Sequence, residues 1–153
     1  MGIDIDDAGD LAAVRELLGR EPQGRFSVAV RSADGLPMVI RNEPLLDDGT
    51  PMPTMFWLLD RSLNRRIGTI EAQGGVKAAE AAIDPEELRA AHEAYATERD
   101  RAMPPDWTGP RPYGGVGGTR FGVKCLHTHY AWFLAGGPDP VGRWVHEQLG
   151  ADQ

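Results

Sequence analysis

The sequence predicts an α+β fold, with a small antiparallel sheet from the N-terminal half packed against several helices. Three observations carry this. Strand-like alternation and a hairpin signal fall before Leu59, and helical spacing takes over from Leu63. The chain has 153 residues, 41% apolar and 25% charged, which is the composition of one globular domain able to bury a core. Residues 1–153 are therefore read as a single domain, opened by an N-terminal helix and turn over residues 1–25.

The elements follow in order. Residues 7–19 read as a short helix, with Leu11, Val14, Leu17 and Leu18 on one side and Gly19 as its stop. Phe26, Val28 and Val30 alternate with polar residues and predict a strand over 26–31. Ala33-Asp34-Gly35 is a hairpin turn, returning as a strand over 37–41. A loop with three prolines covers 42–53, and the aromatic and aliphatic run at 54–59 predicts a third strand. Leu63, Ile67 and Ile70 then repeat at helical spacing until Gly74-Gly75. Asp84-Pro85-Glu86-Glu87 opens another helix, with Asp84 as N-cap, Pro85 at the first position and Glu87 completing a capping box. That helix runs to about Arg101 with Leu88, His92 and Tyr95 on one face. Residues 104–120 hold four Pro and five Gly in 17 positions, a loop long enough to expect a function of it. A helix over 123–134 should bury Leu126, Tyr130, Phe133 and Leu134, and Asp139-Pro140 caps a last helix carrying Val141, Trp144, Val145 and Leu149.

Charge and cysteine content exclude several functions. Sixteen basic residues against 23 acidic ones give a net charge of −7 with no basic stripe, so nucleic acid is not an expected partner. From Arg111 onward the balance reverses: Arg111, Arg120, Lys124 and Arg143 face Asp139, Glu147 and Asp152, which leaves room for a local anion site. No apolar run reaches the roughly 18 residues of a membrane span, so no membrane insertion is expected. The first ten residues carry four Asp and no basic residue, the reverse of a signal peptide, which predicts a cytoplasmic protein. Cys125 is the only cysteine, so neither an internal disulfide nor a multi-thiolate zinc site can form.

The residues that suggest chemistry lie between Gly122 and Tyr130, where Lys124, Cys125, His127 and His129 cluster. On a strand, Cys125, His127 and His129 would share one face and could supply three ligands to zinc or iron. On a helix, Cys125 and His129 lie about 40° apart and His127 points nearly opposite. The apolar spacing favours the helix. Cys125 in a first helical turn, with Lys124 beside it and His129 one turn on, would be a low-pKa thiol suited to nucleophilic or redox work. Arg120 and Lys124 near a helix N-terminus, after Gly117 and Gly118 of a glycine-rich run, would suit a bound phosphate or carboxylate. The run is not a Walker loop, since no Gly-Lys-Ser/Thr ends it. Against these stands a packing role: a buried cysteine beside half-exposed histidines.

Other candidates are Glu71, bordering the Leu63/Ile67/Ile70 face and expected to need a partner such as an arginine or to act as an acid or base. His92 reads as a hydrogen-bonded packing residue and His146 as a helix C-terminal one, whereas Trp107 in the long loop could cover a ligand.

The stretch Gly122-Val-Lys-Cys-Leu-His-Thr-His-Tyr-Ala-Trp-Phe-Leu-Ala-Gly-Gly-Pro-Asp-Pro-Val-Gly142 resembles the signature of a bacterial family, domain-of-unknown-function family 501. Gly35-Leu-Pro-Met-Val-Ile40, Asp48-Gly-Thr-Pro-Met-Pro-Thr54 with Phe56-Trp-Leu58, and Ile70-Glu-Ala-Gln-Gly74 resemble its earlier blocks. The family's Lys-Cys-Leu-His-x-His-Tyr pattern maps onto Lys124, Cys125, Leu126, His127, His129 and Tyr130. The family often carries a cysteine after the arginine aligned with Arg31; here that residue is Ser32, which leaves Cys125 without a thiol partner. The resemblance also implies, through neighbouring genes, an association with cell division or the envelope.

The expectation is a small cytoplasmic protein that binds an anionic ligand or a metal where the glycine-rich loop meets the Lys124–Tyr130 segment. Lys124 and Arg120 would meet the anion. Cys125, His127 and His129 would be ligands or acid/base groups, with Glu71 or Arg31 supporting them. The alternative is a noncatalytic interaction module with a protein partner in the division machinery; a third reading is a thiol enzyme or redox sensor using Cys125.

Overall fold

The structure, a computed structural model, describes residues 8–151. Helix α1 spans Ala8–Leu18, followed by strands β1 (Phe26–Arg31), β2 (Pro37–Asn42) and β3 (Phe56–Leu58). Helices α2 (Arg61–Ala72), α3 (Gly75–Ala82), α4 (Pro85–Arg101), α5 (Leu126–Leu134) and α6 (Pro140–Ala151) complete an α+β fold. Asp7 of the first expected helix, and most of the acidic start, lie outside the described residues.

The sheet is antiparallel in the order β1-β2-β3, and Gly35 takes the hairpin's positive φ of 82°. Central β2 is covered on both faces, so Val39 and Ile40 are both fully buried although adjacent side chains point opposite ways. Ile40 joins Val14, Phe26, Val28 and Leu59 under α1, and Val39 joins the larger core against the helices. A register shift between Val28 and Val30 breaks the simple alternation expected for β1. The extra residue turns Val30 toward the helical core, and Arg31 meets Asp10 of α1 through two hydrogen bonds of 2.9 and 2.6 Å.

Asp60 caps α2 by accepting from Leu63 N–H at 2.9 Å, and Ile67 and Ile70 face the core. Gly74-Gly75 ends α2, as the sequence predicts, but α3 begins at once. Gly74 supplies the left-handed turn (φ 85°), and a Cβ on Gly75 would sit 2.5 Å from the Ile70 carbonyl oxygen. Helix α4 buries Leu88, His92 and Tyr95 on one face, as predicted; the Tyr95 hydroxyl accepts from Met55 N–H beside β3. Its capping box does not form. Asp84 makes no side-chain cap, and Glu87 instead pairs with Arg143 of α6 at 2.8 Å.

The long loop after α4 is held at several points. Buried Arg99 donates to Gly114 O at 2.8 Å. His92 accepts from Val116 N–H at 3.0 Å and donates to Gly122 O at 2.9 Å, which fixes its neutral tautomer. Burial depresses its pKa accordingly, against the opposing pull of the Gly122 hydrogen bond. Glu80 accepts from Val123 N–H at 3.0 Å. Trp107 staples the loop to itself through Pro110 O at 2.8 Å. Helix α5 therefore starts at Leu126, not at Val123: Val123 is buried as a loop residue, and Cys125 is the extended N-cap (φ −154°, ψ 129°). Helix α6 packs so closely on α5 that a Cβ on Gly142 would lie 2.3 Å from Phe133 Cβ.

Candidate functional site

The N-terminus of α5 leaves amide groups without intrahelical partners, and Cys125 does not satisfy them with its side chain. A carboxylate from another helix does. Glu71, one residue from the end of α2, accepts from Leu126 N–H through Oε2 at 2.8 Å. Its Oε1 lies 3.4 Å from His127 Nδ1, and the same nitrogen is 3.6 Å from Cys125 Sγ. On the far side of the ring, His127 Nε2 is 3.1 Å from the Asn64 carbonyl oxygen. A carbonyl only accepts, so Nε2 carries the proton and Nδ1 faces the sulfur and the carboxylate. Thus one ligand atom each from Glu71, Cys125 and His127 lies within 4.8 Å of the other two. All three residues are half-buried.

The electrostatics follow the same contacts. Burial works to raise the Cys125 thiol, but the His127 contact and the nearby polar groups of Thr128 outweigh it, and the pKa ends lowered. The Cys125 hydrogen bond raises His127 to about 9 against desolvation, with help from the Asn64 carbonyl and the Glu71 charge. The contact thus favours the charged form of each partner, an anionic sulfur and a protonated imidazole. His127 binds its proton more tightly folded than unfolded. Its contribution to stability is full below the ordinary histidine pKa of about 6.5 and is lost as pH rises through about 9.

Beside this cluster is a cavity of about 370 Å³ between the outer edge of β3 and the glycine-rich loop. Phe56, Trp57 and Leu58 form one wall, and Gly117, Lys124 and Cys125 another.

Not every residue expected here arrives. His129 points the other way. The helical repeat begins at Leu126, so His127 and His129, two positions apart, diverge by about 200°. His129 is fully buried, bonded through Nδ1 to Asp139 Oδ2 at 2.6 Å, with its ring edge-on to His92 at 5.8 Å; its Nε2 has no partner among the described residues. Glu71 takes the place in the three-residue set that the sequence reading gave to His129. Arg120 stacks on Tyr113 (4.2 Å to the ring centroid) and lines a different cavity with Arg99 and Phe121, so Lys124 faces the first cavity without it. Gly118 packs near Pro53, Gly117 lines the cavity, and Arg31 is engaged with Asp10. The Asn64 carbonyl and Arg20, at the cavity rim, carry no sequence signal that would have singled them out. Asp139 reads only as a helix cap in the sequence, and its second role on His129 is visible only in three dimensions.

Among the described residues no helix is long and apolar enough to cross a membrane. No curated protein and no solved structure matches the chain. One family model does, over residues 28–147, a span that includes Glu71, Asn64, Cys125, His127 and Asp139. That is well over half of the sequence, and the chain belongs to the family described as protein of unknown function DUF501.

Proposed function

We propose that Glu71, Cys125 and His127 hold one divalent metal ion of the zinc type, beside a cavity that receives a small anion. The observation that carries this is the spacing of the donor atoms. Tetrahedral zinc, with bonds of roughly 2.3 Å to sulfur and 2.0–2.2 Å to nitrogen or oxygen, sets its ligand atoms about 3.4–3.6 Å apart. The Sγ–Nδ1 and Nδ1–Oε1 separations are 3.6 and 3.4 Å. The Asn64 carbonyl orients the ring from behind, as a backbone carbonyl commonly does for a ligating histidine. Thiolate, imidazole and carboxylate together suit zinc better than a hard cation, and iron is the nearest competitor. Three protein ligands leave a fourth position open toward solvent or a bound molecule. A metal there would supply a Lewis acid and lower the pKa of bound water. Lys124 faces the cavity with no carboxylate partner among the described residues and favours an anion.

The test is elemental analysis of protein purified without chelator. Roughly one zinc per chain is expected for a site of this kind, lost in Cys125→Ser and His127→Ala. His129→Ala should keep its zinc if it folds, since that imidazole faces Asp139. Metal-free wild type that cannot be reconstituted, or zinc retained by His127→Ala, would refute the reading.

The 3.6 Å Sγ–Nδ1 contact favours a second reading for metal-free protein, a nucleophilic or redox-sensitive Cys125. Iodoacetamide should then modify Cys125 faster at pH 7 than it modifies a free thiol. The rate should fall in His127→Ala, which removes the contact that lowers the thiol. A rate no faster than that of a free thiol, or unchanged by His127→Ala, contradicts it.

A further inference from the structure

We propose that the cavity beside Cys125 takes an amphiphilic anion: a carboxylate or phosphate carrying a short apolar body. The inference rests on the site reading above only for where the ligand's head lies; the cavity walls supply the rest. Its volume of about 370 Å³ is near the lower end of small-molecule sites, roughly 300–1,000 Å³. It is built from two chemistries. Leu18, Phe56, Trp57 and Leu58 offer apolar lining, and Lys124 and Arg20 line the same cavity. The Arg20 guanidinium lies 5.6 Å from the Trp57 ring centroid, which holds the charge above the apolar face.

What sets these two cations apart is their shared position and not the lack of an ion pair. Arg15, Arg89 and Arg143 are paired with carboxylates, but others such as Arg25, Arg65 and Arg111 have no such partner among the described residues. Neither Arg20 nor Lys124 has a carboxylate partner among the described residues, although both line the same cavity. An inorganic anion would use the cations and leave the apolar wall wet. A neutral apolar molecule would do the opposite. A ligand with an anionic head and an apolar body satisfies both.

The Trp57 indole N–H resonance, one of four in a 15N-labelled sample and assigned with Trp57→Phe, reports on the cavity without requiring metal. Titrations use hexanoate and hexyl phosphate, with hexanol, acetate and inorganic phosphate as controls, on zinc-loaded and chelator-treated full-length protein. Hexanoate or hexyl phosphate should shift the Trp57 signal and bind at least about tenfold more tightly than acetate or phosphate, as burial of several methylenes requires. Whichever of the two binds identifies the head group. Arg20→Gln and Lys124→Gln, both at exposed positions, should each weaken binding roughly two- to fivefold, the range of exposed ion pairs. Hexanol binding as well as hexanoate would overturn the anionic requirement, and acetate or phosphate binding as well as their hexyl counterparts would overturn the apolar one. No shift with either amphiphile overturns the proposal whole. A protein that binds hexanoate but never zinc supports this inference and refutes only the metal reading.

Discussion

Asp139→Ala should destabilise the protein by about 3–5 kcal/mol, the cost of breaking a buried charge-assisted network. Three donors converge on this one carboxylate. Oδ2 takes the His129 Nδ1–H at 2.6 Å, and Oδ1 takes Val141 N–H at 2.9 Å and Gly142 N–H at 3.3 Å, capping α6. Asp139 and His129 are both buried, so no solvent replaces the lost acceptor. The place is also one where nothing can relax: Gly142 already meets Phe133 and the His129 carbonyl so closely that no Cβ fits. At roughly 2–4 °C per kcal/mol for a chain of this size, the melting temperature should fall by about 6–20 °C. Asp139→Asn should fall less, because its amide oxygen can keep the cap. A melting temperature for Asp139→Ala within about 2 °C of wild type would mean that α5 and α6 do not depend on this junction.

The Glu71 variants should separate two roles that one side chain combines. Glu71→Ala removes both the acceptor for Leu126 N–H and the oxygen facing His127. It should cost about 0.5–2 kcal/mol, as loss of a helix cap does. It should also weaken zinc by more than the roughly 10–100-fold typical of residues that only support a ligand. Glu71→Gln keeps an amide oxygen for Leu126 and gives up the anionic donor, so it should melt near wild type and still bind zinc poorly. Thermal melts and competition against a fluorescent zinc chelator read the two effects independently. If both variants bind zinc like wild type, Glu71 is a cap and nothing more, and the three-donor site fails.

The sheet and most helices were legible because their periodicities differ and their stops are glycines and prolines. What escaped did so for local reasons. Helix α3 was hidden because Gly74-Gly75 reads as an end, and only the geometry shows one glycine turning the chain while the next admits the Ile70 carbonyl. The β1 irregularity was hidden because Val28 and Val30 look like one face until the register shift parts them. At the site, the Cys/His segment and Glu71 stood out by residue type. The assignment of His129 to the same group turned on where α5 begins, a matter of three residues. Cys125 in an extended cap points independently of the helical repeat, and the three side chains that converge are Glu71, Cys125 and His127. The Asn64 contribution is a backbone oxygen, which any residue would offer, so composition is silent about it.

The pinned loop has a consequence for recognition. A glycine- and proline-rich strap would ordinarily sample many shapes and close over a guest, losing on the order of 1–2 kcal/mol of backbone entropy per residue ordered. Here Arg99, His92 and Glu80 grip it at Gly114, Val116, Gly122 and Val123. That entropy is surrendered when the chain folds, so the Gly117 wall stands before any molecule arrives. A guest of the proposed kind would then meet a preorganised cleft, at a rate set by encounter with the opening and not by the closing of a lid.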